Sequence, residues 1–189
     1  MQVFGMDIYY FINLFFGYSL FGYVLECLVL SVEHRKPITN RGFVRLPFCI
    51  IYGFGAVGAY LFLEPFTYNL LVLAIASSAL ATAMEFVTAK VMIRLFGYFW
   101  WDYSNKKFNY NGIICLESSI GWGILGVFFF CCMDEFAKKQ IHRIPEQICK
   151  PLAIFILVAY VIDFSLCMYK RIRQEEDQSE EIGRLRISH

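Results

Sequence analysis

Five stretches of this chain are long, apolar and nearly free of charge. They run from about Tyr9 to Ser31, Phe48 to Leu63, Tyr68 to Arg94, Gly112 to Asp134 and Pro151 to Met168. Because about 20 apolar residues are needed to cross the roughly 30 Å hydrocarbon layer of a membrane, each stretch is a candidate transmembrane helix. The sequence therefore predicts an all-α, polytopic bundle of five transmembrane helices.

The overall composition indicates that lipid, rather than water, surrounds this fold. Apolar residues make up 58% of the 189 positions and charged residues only 17%, whereas soluble domains average about 45–50% and 25%. A small soluble domain cannot bury so much apolar surface, so the lipid bilayer is an expected partner. The formal net charge of +1 argues against nucleic-acid binding. We expect a multi-pass protein of the cell membrane.

Lysine and arginine are concentrated on one side of the predicted spans. Thirteen of the 17 basic residues lie at the ends of the first, third and fifth spans or in the segments that follow them, and the other four lie between the fourth and fifth. Because cytoplasmic loops carry the excess of positive charge, this split predicts an N-out, C-in orientation. The first span lacks a basic leader and is expected to remain as an anchor.

The same division of charge predicts the domain organisation. Residues 1–169 form a single transmembrane domain, and residues 170–189 form a charged cytoplasmic tail that we expect to be disordered or frayed. Between the fourth and fifth spans, Met133 to Lys150 mixes charged with apolar residues. That segment is either an interfacial helix in an extracytoplasmic loop or a simple connector.

Four acidic residues lie inside the apolar stretches. Glu26, Glu85 and Asp163 lie near the inner ends of odd-numbered spans, and Glu117 lies near the start of the fourth. A charge within the bilayer is costly, so such residues have partners or face a pathway. Since the fourth span runs in the opposite direction to the odd-numbered spans, all four acids are predicted in the same half of the membrane.

An aromatic segment, Gly97 to Asn111, precedes the fourth span and is too apolar to remain in water. We expect it to be interfacial or to re-enter the bundle, and a belt of aromatic anchors at headgroup level is the alternative. With the loop after the first span, it completes a predicted polar cluster near the cytoplasmic side. The candidate binding or pathway residues are Glu26, Asn40, Arg41, Tyr52, Glu85, Trp101, Asp102, Tyr103, Ser104, Asn109 and Glu117.

This cluster is either a functional site or a purely structural network. In a low dielectric, Arg41 is expected to neutralise one or two of the acids. The alternative is a network of ion pairs and hydrogen bonds that fastens the loops to the bundle without a further role.

The first two predicted helical hairpins share a weak internal repeat. Each has a Glu near the inner end of its first helix, then an Asn before a Gly, and then a glycine pair. The interval from Gly42 to Gly53 is eleven residues, as is that from Gly112 to Gly123. Such a pattern is typical of parallel repeats about an axis along the membrane normal.

Several kinds of chemistry have no motif in this sequence. It contains no G-x-x-x-x-G-K-[ST] loop for ATP. The three His residues are far apart and no C-x-x-C pair is present, so neither a metal nor a cofactor is expected. An enzymatic activity of this chain alone is not the favoured interpretation.

Short motifs in the first four spans and their loops resemble one membrane-protein family. They are Gly22-Tyr-Val-Leu-Glu26, Asn40-Arg-Gly-Phe43, Tyr52-Gly53-Phe-Gly55, Glu85-Phe-Val-Thr88, Trp100-Trp-Asp-Tyr-Ser104 and Asn109-Tyr-Asn-Gly112-Ile-Ile-Cys-Leu116. Their order and spacing resemble the ABC-transporter type IV, or CmpB-like, family over about Phe15 to Phe130. The family usually has Gly and Pro where this chain has Leu46 and Ile50. The resemblance implies a permease-like protein that works with a separate ATPase subunit.

Three functions are compatible with these features. The first is a transport component that moves a small solute or ion through the polar cluster, with an ATPase on the cytoplasmic loops Val32 to Pro47 and Lys90 to Asn111. The second is an enzyme acting on a lipid or isoprenoid. The third is a structural or regulatory subunit without a pathway, and any of the three could form a homo-oligomer.

The enzyme hypothesis assigns specific roles to charged and aromatic residues. Glu85, Glu117 and Asp102 supply the candidates for a general base. Cationic and aromatic groups would hold the anionic headgroup and the apolar part of the substrate. These binding residues are Arg41, Arg45, Trp100 and Trp101.

Overall fold

The structure is a computed structural model that describes residues 2–3, 6–39, 42–99 and 101–187. Six helices dominate it, and two pairs of two-residue antiparallel strands accompany them. The helices are α1 (Ile8–His34), α2 (Ile50–Phe62), α3 (Leu70–Phe96), α4 (Leu116–Phe128), α5 (Asp134–His142) and α6 (Glu146–Ile187). The strand pairs are β1 (Gln2–Val3) with β2 (Met6–Asp7), and β3 (Asn109–Tyr110) with β4 (Ile114–Cys115).

The predicted all-α fold is confirmed, and the helices differ in length. In the described chain, four helical rods are long and apolar enough to cross a membrane: Ile8–His34, Leu70–Phe96, Leu116–His142 and Glu146–Arg173. Helix α2 has 13 residues and is therefore about 20 Å long, less than the roughly 30 Å of a bilayer core. A 3-10 turn at Glu64–Phe66 follows it and contains Pro65.

Local signals in the sequence account for the ends of the long helices. The Asp7 carboxylate accepts a hydrogen bond from Tyr9 N at 2.8 Å and caps α1. In the same way, the Asn69 side chain accepts from the first turn of α3 at 2.9 Å. Helix α3 ends at Gly97, whose φ of +72° is a left-handed conformation that glycine adopts without strain.

The connection between α4 and α6 differs from both sequence-based alternatives. A π-helical turn, Phe129–Met133, joins α4 to α5, so residues 116–142 form one continuous rod. Among the described residues from Met133 to Lys150 the chain therefore forms neither a separate interfacial helix nor a simple connector, since Met133 to His142 continue the fourth helix and α6 begins at Glu146. The first residue of α5 has partners in the bundle, since the Asp134 carboxylate accepts hydrogen bonds from Tyr18 and Tyr60.

Helix α6 also extends beyond its predicted limits. It begins at Glu146, five residues before Pro151, and it continues to Ile187. The helix therefore includes the tail as far as Ile187.

Helix α1 lies at the centre of the bundle and contributes to both clusters of buried apolar residues. One cluster joins α1 to α2, α3 and the π-helical turn through Leu14, Leu73 and Phe129. The other joins α1 to α6 and to the loop before α2, and it includes Phe16 and Tyr160. Large apolar side chains elsewhere face outward, as expected for a surface covered by lipid.

Close approach at two glycines packs the helices into two hairpins. The first hairpin is α1 with α2, and the second is α3 with α4. A Cβ atom on Gly53 would lie 2.6 Å from Ser19 Oγ, and one on Gly123 would lie 2.8 Å from the backbone oxygen of Ala74. No side chain fits at either contact without displacement of its neighbour, so both glycines set the distance between helices.

Candidate functional site

A cavity of about 110 Å³ lies between the two hairpins. At one end it is lined by Tyr52, Glu85 and Trp122, and at the other by Leu63 and Met133. Most of the remaining lining consists of apolar side chains from α2, α3 and α4. The cavity thus has a single carboxyl group at one end of an otherwise apolar space, within the described part of the chain.

The Glu85 carboxylate accepts hydrogen bonds from three side chains although it lies in the middle of an apolar helix. Tyr103 donates its hydroxyl to Oε1 at 2.9 Å, and Trp122 and Ser118 donate to Oε2 at 3.3 and 3.4 Å. Glu85 is 5% exposed. Burial of a charge is tolerated where hydrogen bonds replace the lost water, and these three donors meet that need.

The second acid of the cluster, Glu26, is held by one donor. Tyr52 donates its hydroxyl to Glu26 Oε1 at 2.6 Å. The Tyr52 ring also lies against the Trp122 ring, with centroids 5.7 Å apart. A chain of contacts therefore runs from Glu26 through Tyr52 and Trp122 to Glu85, and it joins the two hairpins. We refer to Glu26, Tyr52, Glu85, Tyr103, Ser118 and Trp122 as the Glu85 cluster.

Tyr103 comes to this cluster from the aromatic segment before α4. Burial of the phenol raises the pKa of Tyr103 above its usual range, and the nearby charges of Glu85 and Glu26 raise it further. The phenol therefore remains a hydrogen-bond donor over the whole physiological range. Part of the aromatic segment thus folds back onto the bundle, as the sequence predicts.

Four other predicted site residues organise the loop instead of lining the cavity. Asp102 Oδ1 accepts from Ser104 N at 2.8 Å, and hydrogen bonds from the Ser104 side chain and backbone lower the pKa of the Asp102 carboxyl. Asn109 donates to the backbone oxygens of Ser104 and Lys106. Trp101 donates to the backbone oxygen of Ile113 at 2.7 Å. These bonds build the turn that leads into the β3–β4 pair and presents Tyr103.

Glu117 does not join Glu85, although both acids lie near the same end of the bundle. Its carboxylate is 70% exposed and pairs with Lys106 Nζ at 3.1 Å, and the same ammonium pairs with Glu33 at 3.1 Å. The two carboxylates raise the pKa of Lys106. Such an exposed bridge contributes little to stability, but it ties the loop to α1 and α4.

The remaining predicted residues lie elsewhere. Asn40 and Arg41 are outside the described residues. Asp163 accepts hydrogen bonds from the backbone nitrogens of Arg45 and Leu46 at 2.8 and 2.9 Å. The acid on α6 therefore fixes the loop before α2 and lies apart from the Glu85 cluster.

Several residues of the site escaped the sequence analysis. Ser118 and Trp122 are polar partners of Glu85, and Ser77 lines the cavity with a buried hydroxyl that has no hydrogen-bond partner among the described residues. Trp122 precedes Gly123 just as Tyr52 precedes Gly53. The internal repeat is the signal that could have identified it.

A second polar group lies beyond the opposite end of the cavity. The Asp134 carboxylate accepts from Tyr18 at 2.7 Å and from Tyr60, and it pairs with Lys138 at 2.9 Å. Phe129 contacts both tyrosine rings, with centroid distances of 5.3 and 5.8 Å, and also lines the cavity. Asp134 was interpreted from the sequence only as the end of the fourth span.

The repeat seen in the sequence corresponds to matched contacts in the two hairpins. Gly53 packs on Phe15 and Ser19, which lie eleven and seven residues before Glu26. Gly123 packs on Ala74 and Ser78, which lie eleven and seven residues before Glu85. The aromatic residue before each glycine bonds to the acid of its own hairpin. The two acids therefore occupy equivalent places.

Comparison with known proteins gives one match. The model of a family described as "Putative ABC-transporter type IV" matches residues 13–168. The match confirms the resemblance found in the sequence, and it extends through much of α6 to include Asp163. No curated protein and no solved structure matches the chain.

Proposed function

Because the chain belongs to the ABC-transporter type IV family, we propose that it is a permease-like transport component that moves a small solute through the cavity between its hairpins. The observation that carries this proposal is the position of the buried Glu85 carboxylate at one end of that cavity. An acid in the membrane that faces a cavity commonly marks a solute pathway.

The proposed topology has five crossings in the cell membrane, with the N-terminus outside and the C-terminus inside. Helix α2 is too short to cross alone, so Phe48–Cys49 and the 3-10 turn at Glu64–Phe66 complete its path. The tail from residue 170 then lies in the cytoplasm, on the side where basic residues are concentrated. Reporter fusions at Gln140 and His189 test this topology, and a cytoplasmic Gln140 with an external His189 would overturn it.

The proposed energy source is a separate ATPase subunit, since this chain has no phosphate-binding loop. We place its docking surface on the cytoplasmic loops between α1 and α2 and between α3 and α4. Purification of the tagged chain under mild conditions should recover this ATPase. Recovery of no ATPase, together with solute flux that needs no ATP, would instead indicate a secondary carrier or channel.

The arrangement supports transport over lipid or isoprenoid chemistry. Of the three acids considered as a general base, only Glu85 lines the cavity. Glu117 pairs with Lys106 at the surface, and Asp102 is engaged in a local turn. The backbone of Arg45 is bound to Asp163. No second acid among the described lining residues is therefore available to Glu85 for acid–base catalysis.

Glu85→Gln tests the proposed pathway directly. We expect uptake per molecule of folded protein to fall at least about tenfold, because the charge that faces the solute is lost. Glu117→Gln is the matched control, since Glu117 is an acid near the same end of the bundle but does not line the cavity. Normal uptake per molecule by Glu85→Gln would mean that the cluster is only structural, as expected of a subunit without a pathway.

A further inference from the structure

The lining of the cavity combines one carboxylate with aromatic rings and an apolar body. Tyr52 and Trp122 flank the end at which Glu85 lies, and Phe21 and Met84 continue the wall. None of the described lining residues is Lys, Arg or His. An anionic solute would find no counter-charge in these walls, whereas a cation would find both a carboxylate and electron-rich ring faces.

The acids of the cluster have no cationic partner in the part of the chain that the structure describes. The ion pairs there involve Lys106 with Glu33 and Glu117, and Lys138 with Asp134. Glu26 and Glu85 are instead held by neutral donors. Neutral donors stabilise a carboxylate without cancelling its charge, so an ionised Glu85 makes this end of the cavity negative.

A second observation is a buried hydroxyl group in the cavity wall that has no hydrogen-bond partner among the described residues. The Ser77 hydroxyl lines the middle of the cavity, is 3% exposed and has no hydrogen-bond partner among the described residues. Gly126 lies against it, so close that a Cβ atom there would overlap Ser77. A buried hydroxyl is rarely left unpaired, and a bound solute with a polar group would satisfy it.

From these observations we propose that the solute is a small organic cation, an amine or quaternary ammonium with an apolar body. Its charged end lies beside Glu85 and the rings of Tyr52 and Trp122. Its body extends from there into the apolar part of the cavity, in the direction of Ser77. This inference rests on the proposed function and specifies the class of solute that the same cavity accepts.

The size of the cavity favours a small solute. Its volume of about 110 Å³ is somewhat below that of the engineered cavity of about 150 Å³ that holds a benzene molecule. Because the cavity is partly open to its surroundings, choline, with seven heavy atoms, is a suitable probe near the upper limit of size. Its neutral isostere 3,3-dimethylbutan-1-ol and the anion 3,3-dimethylbutyrate have the same branched end and differ mainly in charge.

The test is equilibrium binding of these three probes to the purified full-length chain, measured by calorimetry and by quenching of tryptophan fluorescence. We expect choline to bind at least about tenfold more tightly than the neutral alcohol, and the anion to bind most weakly. Glu85→Gln should abolish this preference, whereas Glu117→Gln should retain it. Equal binding of cation and neutral isostere, or tighter binding of the anion, would overturn the proposal.

A second variant keeps the test decisive if Glu85→Gln does not fold. Trp122→Phe keeps an aromatic ring but weakens the attraction for a cation, because indole has the strongest such attraction. It should reduce choline affinity several-fold and change binding of the neutral alcohol little, and an equal loss for both probes would contradict the proposal. If cation binding is confirmed but no flux occurs with the ATPase, the proposed transport function fails and the binding site stands.

Discussion

The two hairpins have the same internal contacts but enclose their acids to different degrees. In both, a glycine of the second helix packs on the first helix, and an aromatic residue beside it bonds to the acid. Glu26 in the first hairpin accepts from Tyr52 and is partly exposed. Glu85 in the second accepts from three donors and is buried.

The difference comes from the segments that connect the helices. In the second hairpin, the described residues 101–115 fold through a turn and the β3–β4 pair, and they place Tyr103 against Glu85. In the first hairpin, the described part of the loop is bound instead to Asp163 on α6. The helices thus provide two equivalent acids, and the loops decide which acid is enclosed beside the cavity.

The largest expected effect is at the glycine contacts. Gly123→Ala should lower the free energy of unfolding by about 1–3 kcal/mol, because the new methyl group would meet the Ala74 backbone oxygen, which cannot turn aside. Gly53→Ala should cost less, since Ser19 and Phe15 side chains can move. Denaturation in detergent measures both, with Gly121→Ala and Gly55→Ala as controls in open space. A larger loss of stability in Gly53→Ala than in Gly123→Ala would contradict this expected order.

The next effect concerns the two acids. Glu85→Gln places an amide NH₂ group opposite donors and should lower the free energy of unfolding by about 1–3 kcal/mol. Glu26→Gln should cost less, because a glutamine oxygen can still accept from Tyr52. Thermal unfolding of the two variants checks this order. Equal losses would mean that enclosure by the loop adds nothing to the energy of the site.

Tyr103→Phe removes the donor that the longer loop supplies. At neutral pH we expect a loss of about 1 kcal/mol in the free energy of unfolding. Because burial and the charge of Glu85 raise the pKa of Tyr103, the folded state holds this proton more tightly than the unfolded state. The contribution of this proton to the free energy of unfolding is fully present below about pH 10. It is lost as the pH rises toward the pKa that Tyr103 has in the folded state.

The pH dependence of that variant separates it from a simple loss of packing. Above about pH 10, the free energy of unfolding of the wild type should fall more steeply with rising pH than that of Tyr103→Phe. Tyr110→Phe is the control, since this tyrosine is in the same segment and is 56% exposed. Parallel curves for wild type and Tyr103→Phe would show that the phenol is not enclosed.

The smallest effect concerns the turn that presents Tyr103. Hydrogen bonds from Ser104 lower the pKa of Asp102 in the folded state. The Asp102 carboxylate therefore stabilises the turn fully above its usual pKa of about 3.9, and this stabilisation is lost as the pH falls through the lower pKa of the folded state. Acidification below pH 4 should increase hydrogen exchange of residues 101–115, and Asp102→Ala should show the same increase at pH 7. Unchanged exchange in both experiments would contradict this role.

The sequence predicts the fold because lipid imposes simple requirements on it. Long uncharged stretches predict α1, α2, α3, α4 and the apolar part of α6, and the cost of buried charge draws attention to Glu26 and Glu85. The sequence could not distinguish Glu85 from Glu117, since both are acids near the same membrane depth. Their separation depends on which face of each helix packs inward and on the reach of Lys106.

The sequence also does not predict that α4 continues into α5. A cluster of charges after an apolar stretch usually indicates the end of a span, and Asp134 matched that pattern. The structure instead satisfies its carboxylate with two tyrosines from α1 and α2 and with Lys138 one turn later. Only a three-dimensional partner could reveal that this acid belongs inside the bundle.

The π-helical turn at Phe129–Met133 sets the rotational phase between the two ends of one rod. A π turn holds one residue more than an α turn, and each residue of an α-helix turns the chain by about 100°. If this turn closed to α geometry with all its residues kept, the extra residue would rotate α5 by about that angle relative to α4, and Asp134 would turn away from Tyr18 and Tyr60. Deletion of one residue from the turn would instead restore α geometry and leave Trp122 and Asp134 facing their present partners. The wide turn thus lets the rod hold one more residue while both of its ends still face the bundle.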